Sequence, residues 1–307
     1  MAEQVGKGDA RSLARAISLV ENRNEGWLEL LKAVFPLAGK ARIVGLTGAP
    51  GAGKSTLADQ MAVYYRKHDH RVGIIAVDPS SPYSGGAILG DRIRMQRHFS
   101  DPGIYIRSMA TRGTLGGLAS STADIATVLD AAGHDRILIE TVGVGQDEVE
   151  IVRLADITVV ILVPGMGDDV QSIKAGIMEI ADIFVINKSD YGGAERVERE
   201  IKAMQSLAVR NDAWVPSIVH TVAREGKGIE DLVTEIRRYE DHLKGHGLLL
   251  QKQAHHWQER LITMLRDALL KKAHASLSDQ TLTLYATEIA EHKRDPYSTI
   301  EEITKAL

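Results

Sequence analysis

Apolar residues along this chain fall into short unbroken runs, separated by stretches in which they recur at helical spacing. The runs are Ile43–Thr47, Val72–Val77, Ile104–Ile106, Ile137–Ile139, Ile157–Val163, Ile183–Ile186 and Trp214–Val219. Strands alternating with helices from Ala41 to about Ile236 predict an α/β fold. Its sheet would be mainly parallel, with helices on both faces and a ligand at the carboxyl ends of the strands. Residues 9 to 38 read helical: Leu13, Ala16, Ile17 and Val20 share one face, and Trp27, Leu28, Leu31 and Phe35 continue it after a break at 23–25. After Arg237 the pattern becomes long, charged and helical, interrupted at Gly245–Gly247, with an apolar stripe at Leu261, Met264, Leu265 and Leu269. Further helices are expected at Asp279–His292 and Ser298–Leu307, parted by Asp295-Pro296. The stripe lies outside the finished α/β unit, so both an intramolecular core and a subunit contact remain open for it.

Composition narrows the class. The chain has 307 residues, 44% hydrophobic and 25% charged, as in a soluble globular protein. Its net charge of −4 provides no general attraction to nucleic acid or to an anionic membrane. There are no cysteines, which excludes disulfides, thiolate metal sites and a cysteine nucleophile. The first 22 residues mix acids and bases without an apolar core, unlike a secretory signal. The longest apolar runs are far too short to cross a bilayer, and the expected compartment is the cytoplasm.

One junction carries distinctive chemistry. The first strand leads into Gly48-Ala49-Pro50-Gly51-Ala52-Gly53-Lys54-Ser55, with Thr56 and a helical segment to Lys67 following. Strand, Gly-rich turn and helix N-terminus form a phosphate-binding P-loop. Glycines let successive backbone N–H groups turn inward, and the helix dipole adds partial positive charge. Lys54 is expected to reach the β- and γ-phosphates and Ser55 to ligate Mg²⁺.

The base is addressed further on. The run ending at Ile186 delivers Asn187-Lys188-Ser189-Asp190. A carboxylate at Asp190 can accept from the guanine N1–H and 2-amino group, neither of which adenine offers, so GTP is the expected nucleotide. Asn187 would hold the loop and the N7 edge, and the Lys188 stem would cover the ring. A second base-side loop is expected at Thr221-Val222-Ala223, where many GTPases have Ser-Ala. Three carboxylates follow strand ends near the P-loop and suit a hard cation: Asp78, Asp91 and Glu140. Asp78 and Glu140 are expected to hold Mg²⁺ directly or through water, while Asp91 would also position the attacking water. Lys54, Asp91 and Glu140 are the expected catalytic set. Arg92 and Arg94 suit either a charge-stabilising role or a solvated loop, and Thr111–Gly117 suits either close backbone approach or a plain turn.

With these residues assembled, the chain resembles the MeaB/ArgK-type GTPases, also called methylmalonyl-CoA mutase-associated GTPases. The stretches that carry the resemblance are GAPGAGKST, VDPSSPYSGGAILGDRIRM, RSMATRGTLGGLA, IETVGVGQDEVEI and NKSD, between Gly48 and Asp190. The resemblance implies a homodimeric GTPase that gates adenosylcobalamin loading of an acyl-CoA mutase and protects that enzyme. It also implies switches at 78–95 and 140–149, and a further one from Pro164 to Lys174. In the last of these, Asp168, Gln171 and Lys174 would couple nucleotide state to the partner. The expected organisation is an N-terminal helical extension at 1–38, a P-loop GTPase domain at 39–236 and a C-terminal helical dimerisation extension at 237–307. Two other classes are weighed: a GTPase inserting nickel into an enzyme, and a small-molecule kinase or transport-associated ATPase. The missing cysteines speak against the first and Asp190 against the second.

Overall fold

Seven strands take up the apolar runs: β1 (Arg42–Gly48), β2 (Val72–Asp78), β3 (Ile104–Ala110), β4 (Arg136–Glu140), β5 (Ile157–Leu162), β6 (Ile183–Asn187) and β7 (Ser217–Thr221). They form one sheet in the order β3-β2-β4-β1-β5-β6-β7, and each neighbouring pair is parallel. The computed structural model describes residues 1–78, 98, 100–110, 117–141, 154–165, 180–206 and 213–305. Parallel strands covered on both faces must be apolar at consecutive positions, which is why the sequence shows runs rather than alternation. Each run still sorts by a period of two. Val44, Leu46, Ile157, Val159 and Ile161 join one buried cluster, while Val160 and Leu162 belong to another on the opposite face.

The helices covering the first face are α4 (Lys54–Lys67) and α7 (Ile229–Gly245), which bury Leu57, Met61, Tyr65, Leu232, Ile236 and Tyr239. On the other face lie α5 (Gly117–Ala131), packed over Ile75, Val77, Ile137 and Ile139, and α6 (Ala194–Gln205), packed over Phe184 and Ile186. Three N-terminal helices, α1 (Ala2–Gly6), α2 (Ala10–Glu21) and α3 (Trp27–Val34), are part of the cluster that contains α5. The expected face of α2 is buried in full at Leu13, Ala16, Ile17 and Val20, and Asp9 caps the helix by accepting from the Ser12 N–H at 2.7 Å. On α3 the outcome differs. Leu30 and Val34 are its buried residues, while Leu28 and Phe35 are exposed. Here α3 contacts α1, α2 and α5, and those neighbours decide which side is covered. The helix at α1 precedes the expected start at residue 9.

Strand β7 begins later than Trp214. Pro216 has no N–H for the ladder, and Trp214 instead donates from Nε1 to the Asp182 carbonyl at 2.8 Å while packing on Tyr239. The same lower edge of the sheet, at the amino ends of the strands, carries two buried acids. Asp156 accepts from the Ile43 N–H and from Gln253, and Asp182 accepts from the Thr158 N–H and from Lys252.

Helix α7 continues through position 236, and the long α8 (Leu248–Ser276) follows after Gly247. By its contacts the chain forms two compact units, Met1–Gln253 and Ala254–Leu307. The second contains most of α8, then α9 (Asp279–Ala290) and α10 (Pro296–Lys305). Leu261, Met264, Leu265 and Leu269 are exposed. Leu265 and Leu269 line an apolar groove of about 550 Å³ with Leu282, Ile300 and Ile303. No helix among the described residues is long and apolar enough to cross a membrane.

Candidate nucleotide site

Because the sheet is all parallel, the carboxyl ends of its strands lie along one edge, and the motif residues follow from them. Strand β1 lies between β4 and β5 and ends in the Gly-rich turn. Gly48 has φ 147°, and a Cβ there would stand 2.2 Å from the Ile161 carbonyl oxygen, so only glycine lets β1 run this close to β5. Gly53, at φ 93°, is the N-cap of α4, and a Cβ there would lie 2.4 Å from Asn187 Nδ2.

Lys54 is buried, and its ammonium donates to the Gly48 carbonyl at 2.7 Å and the Ala49 carbonyl at 3.1 Å. The Ser55 hydroxyl donates to Glu140 Oε1 at 2.6 Å, across from the end of β4. Leu46 is paired with Glu140 in the β1–β4 register, so the carboxylate is fixed beside the loop by the ladder itself. Glu140 is 5% exposed. Asp78 ends β2, one strand further out, two residues beyond the Ala76–Glu140 pair. A hydroxyl and a carboxylate in hydrogen-bond contact are a donor set of hard oxygens, the type that Mg²⁺ prefers. Asp91, Asp168, Gln171 and Lys174, with Arg92, Arg94 and most of the segments read as switches, lie outside the described residues.

The base-side loops are tied to the phosphate loop by Asn187. Its Nδ2 donates to the Ala52 carbonyl at 2.8 Å, and its Oδ1 accepts from Thr221 Oγ1 at 3.0 Å and from the Ala223 N–H at 3.1 Å. One buried amide thus joins three loops. Lys188, in a left-handed conformation with φ 55°, donates from Nζ to the Gly51 carbonyl at 2.8 Å. Between these loops is a cavity of about 90 Å³ lined by residues that include Gly53, Thr56, Lys188, Asp190, Val222 and Ala223. The structure therefore brings together the P-loop, Asn187, Lys188, Asp190 and the 222–223 loop at one cleft.

Two residues that the sequence reading did not single out also line this cavity, Tyr191 and Arg224. Arg224 donates from Nη2 to Asp190 Oδ2 at 2.7 Å. The only sequence signal for them is adjacency, Tyr191 to Asp190 and Arg224 to Ala223.

Comparison with known proteins gives a consistent result. The chain is 48% identical over 308 residues to a putative GTPase of Pyrococcus abyssi, covering 99% of this chain and 95% of that protein. It is 37% identical over 253 residues to GTPase ArgK of Escherichia coli, covering 80% and 76%. It is 36% identical over 294 residues to the mitochondrial methylmalonic aciduria type A homolog of mouse, covering 89% and 71%. Among solved structures, one titled as a LAO/AO transport system kinase superposes with a TM-score of 0.74 at 27% identity, covering 99% of this chain and 95% of that one. The family model described as methylmalonyl-CoA mutase-associated GTPase MeaB matches residues 13–278, and the chain belongs to that family of P-loop GTPases.

Proposed function

We propose that this GTPase serves as a chaperone for an adenosylcobalamin-dependent acyl-CoA mutase of the methylmalonyl-CoA mutase type, gating cofactor loading and protecting the loaded enzyme. Family membership supports the partner class, since the family is described by its association with methylmalonyl-CoA mutase. The observation that carries the catalytic part is the Ser55–Glu140 contact beside the buried Lys54.

In this reading the backbone N–H groups from Gly51 to Thr56 cradle the phosphates. The Lys54 ammonium leaves the Gly48 and Ala49 carbonyls for the β- and γ-phosphates, where it stabilises charge developing in transfer to water. Ser55 and Glu140 hold Mg²⁺, with Asp78 and Asp91 contributing oxygens. That ion neutralises charge on the phosphates when bound. Asp91 and Glu140 position the attacking water. Asn187, Lys188, Asp190, Val222 and Ala223 bind guanine.

Asp168, Gln171 and Lys174 form the partner-coupling segment in this scheme, and docking of the mutase orders it and raises slow intrinsic hydrolysis. The protein works in the cytoplasm as a homodimer, and the apolar groove of 254–307 supports a C-terminal subunit contact. The test is GTP turnover by the purified protein with and without a candidate acyl-CoA mutase from the same source. Stimulation with GTP but not ATP is the expected result. Turnover indifferent to every such mutase would detach the nucleotide site from cobalamin.

A further inference from the structure

The ion pair between Arg224 and Asp190 has no place in the scheme above. Arg224 keeps 62% of its side chain exposed, and such a pair standing alone would hold little. It does not stand alone. Arg224 Nη2 also lies 3.4 Å from Glu225 Oε1, and Lys227 Nζ contacts Glu225 Oε2 at 2.8 Å. Four alternating charges thus run from the base cavity outward: Asp190, Arg224, Glu225 and Lys227.

The backbone beneath them is a closed turn. The Glu225 N–H donates to the Val222 carbonyl at 2.9 Å, the Gly226 N–H to Ala223 at 3.1 Å, and the Val222 N–H to Lys227 at 3.1 Å. Gly226 and Gly228 are both left-handed, and a Cβ on Gly228 would stand 2.1 Å from the His220 carbonyl oxygen. The turn can therefore be reached only with glycine at that point, and it presents Arg224 to the same cavity that Asp190 lines.

A carboxylate has about four lone-pair sites on its two oxygens. Arg224 uses one, on Oδ2, which leaves enough for the two donors of a guanine edge. We propose that Arg224 is a positioning residue for base recognition: it orients the Asp190 carboxylate through Oδ2 and thereby widens the margin of guanine over adenine. This rests on Asp190 reading the guanine edge. A free carboxylate rotates about χ2, and guanine would have to stop that rotation on binding. A carboxylate already held by the guanidinium gives up less freedom. Adenine makes no matching pair of hydrogen bonds to Asp190, so its affinity is indifferent to the orientation.

The experiment is equilibrium titration of the full chain with GDP and with ADP, in Arg224→Ala, Arg224→Lys, Glu225→Ala and Asp190→Ala variants. The expected result is a GDP-over-ADP ratio reduced roughly fivefold in Arg224→Ala, the scale of one partly exposed ion pair. The loss falls on GDP alone, with ADP binding and the melting temperature of the unliganded protein unchanged. Arg224→Lys restores part of the ratio, and Glu225→Ala shows a smaller loss in the same direction. Tighter GDP binding in Arg224→Ala would make Arg224 a competitor of the base and overturn the inference, as would an unchanged ratio there beside a collapsed one in Asp190→Ala. An unchanged ratio in Asp190→Ala itself would instead remove the base-reading role on which the inference rests.

Discussion

The Ser55 hydroxyl and the Glu140 carboxylate meet at 2.6 Å, joining the first turn of α4 to the carboxyl end of β4. Each is fixed by its own element, Ser55 by the P-loop helix and Glu140 by its pairing with Leu46. Removing either oxygen from a Mg²⁺ donor set should weaken the ion by at least roughly tenfold. For Ser55→Ala and Glu140→Gln, the Mg²⁺ concentration giving half-maximal GTP turnover should rise by that factor. A requirement for Mg²⁺ identical to wild type in both variants would place the ion elsewhere.

The Lys54 ammonium is bonded to the Gly48 and Ala49 carbonyls. Replacing it with alanine removes the charge expected at the γ-phosphate. Turnover should fall by about 10²–10³-fold, as for loss of one preorganised donor at a developing anion, with weaker nucleotide binding besides. Full activity in Lys54→Ala, measured as phosphate release, would sink the assignment.

Asn187 should show itself as a structural joint even without nucleotide. Asn187→Ala would take away the partner of the Ala52 carbonyl and of the Thr221 and Ala223 donors, all at a buried position. Buried groups left unpaired cost about 1–3 kcal/mol each, so a loss near 3 kcal/mol is expected in denaturant titration of the unliganded protein. A loss below about 1 kcal/mol would mean the loops are held together by other contacts.

Much of this was legible in the sequence, for identifiable reasons. A parallel sheet buried on both faces writes itself as apolar runs, so β1 to β6 were readable. A P-loop must combine glycine, lysine and serine at fixed spacing, so its position was readable too. What escaped was set by tertiary neighbours. The buried side of α3 depends on α1, α2 and α5, and Trp214 looked like strand until Pro216 kept it out of the ladder. The pairing of Arg224 with Asp190 joins residues 34 apart in sequence, and no local pattern announces it.

His134 predicts an acid-sensitive stability. Burial, reinforced by the nearby Arg71 charge, lowers its pKa from 6.5 to about 4. The unfolded chain therefore takes up this proton between pH 6.5 and 4 while the folded chain refuses it. Stability from this group is full above about pH 6.5 and is lost as pH falls toward 4, by roughly 3 kcal/mol in total. Unfolding free energies at pH 7 and 4.5 should differ less in His134→Gln than in wild type. Equal pH dependence in the two proteins would assign the acid loss to other groups.

The two acids at the lower edge of the sheet bear on where this protein can be cut. Asp182 and Asp156 receive Lys252 and Gln253, which belong to α8 and yet fall within the unit Met1–Gln253. A shortened chain stopping at the Gly245–Gly247 break would look tidy on paper, since that is where the helices part. It would nevertheless strip Asp182, only 2% exposed, of its ammonium partner, and it should unfold at a lower temperature than one ending just past residue 253. The natural seam of the molecule thus runs within the first two turns of a helix, and a loop is the wrong place to look for it.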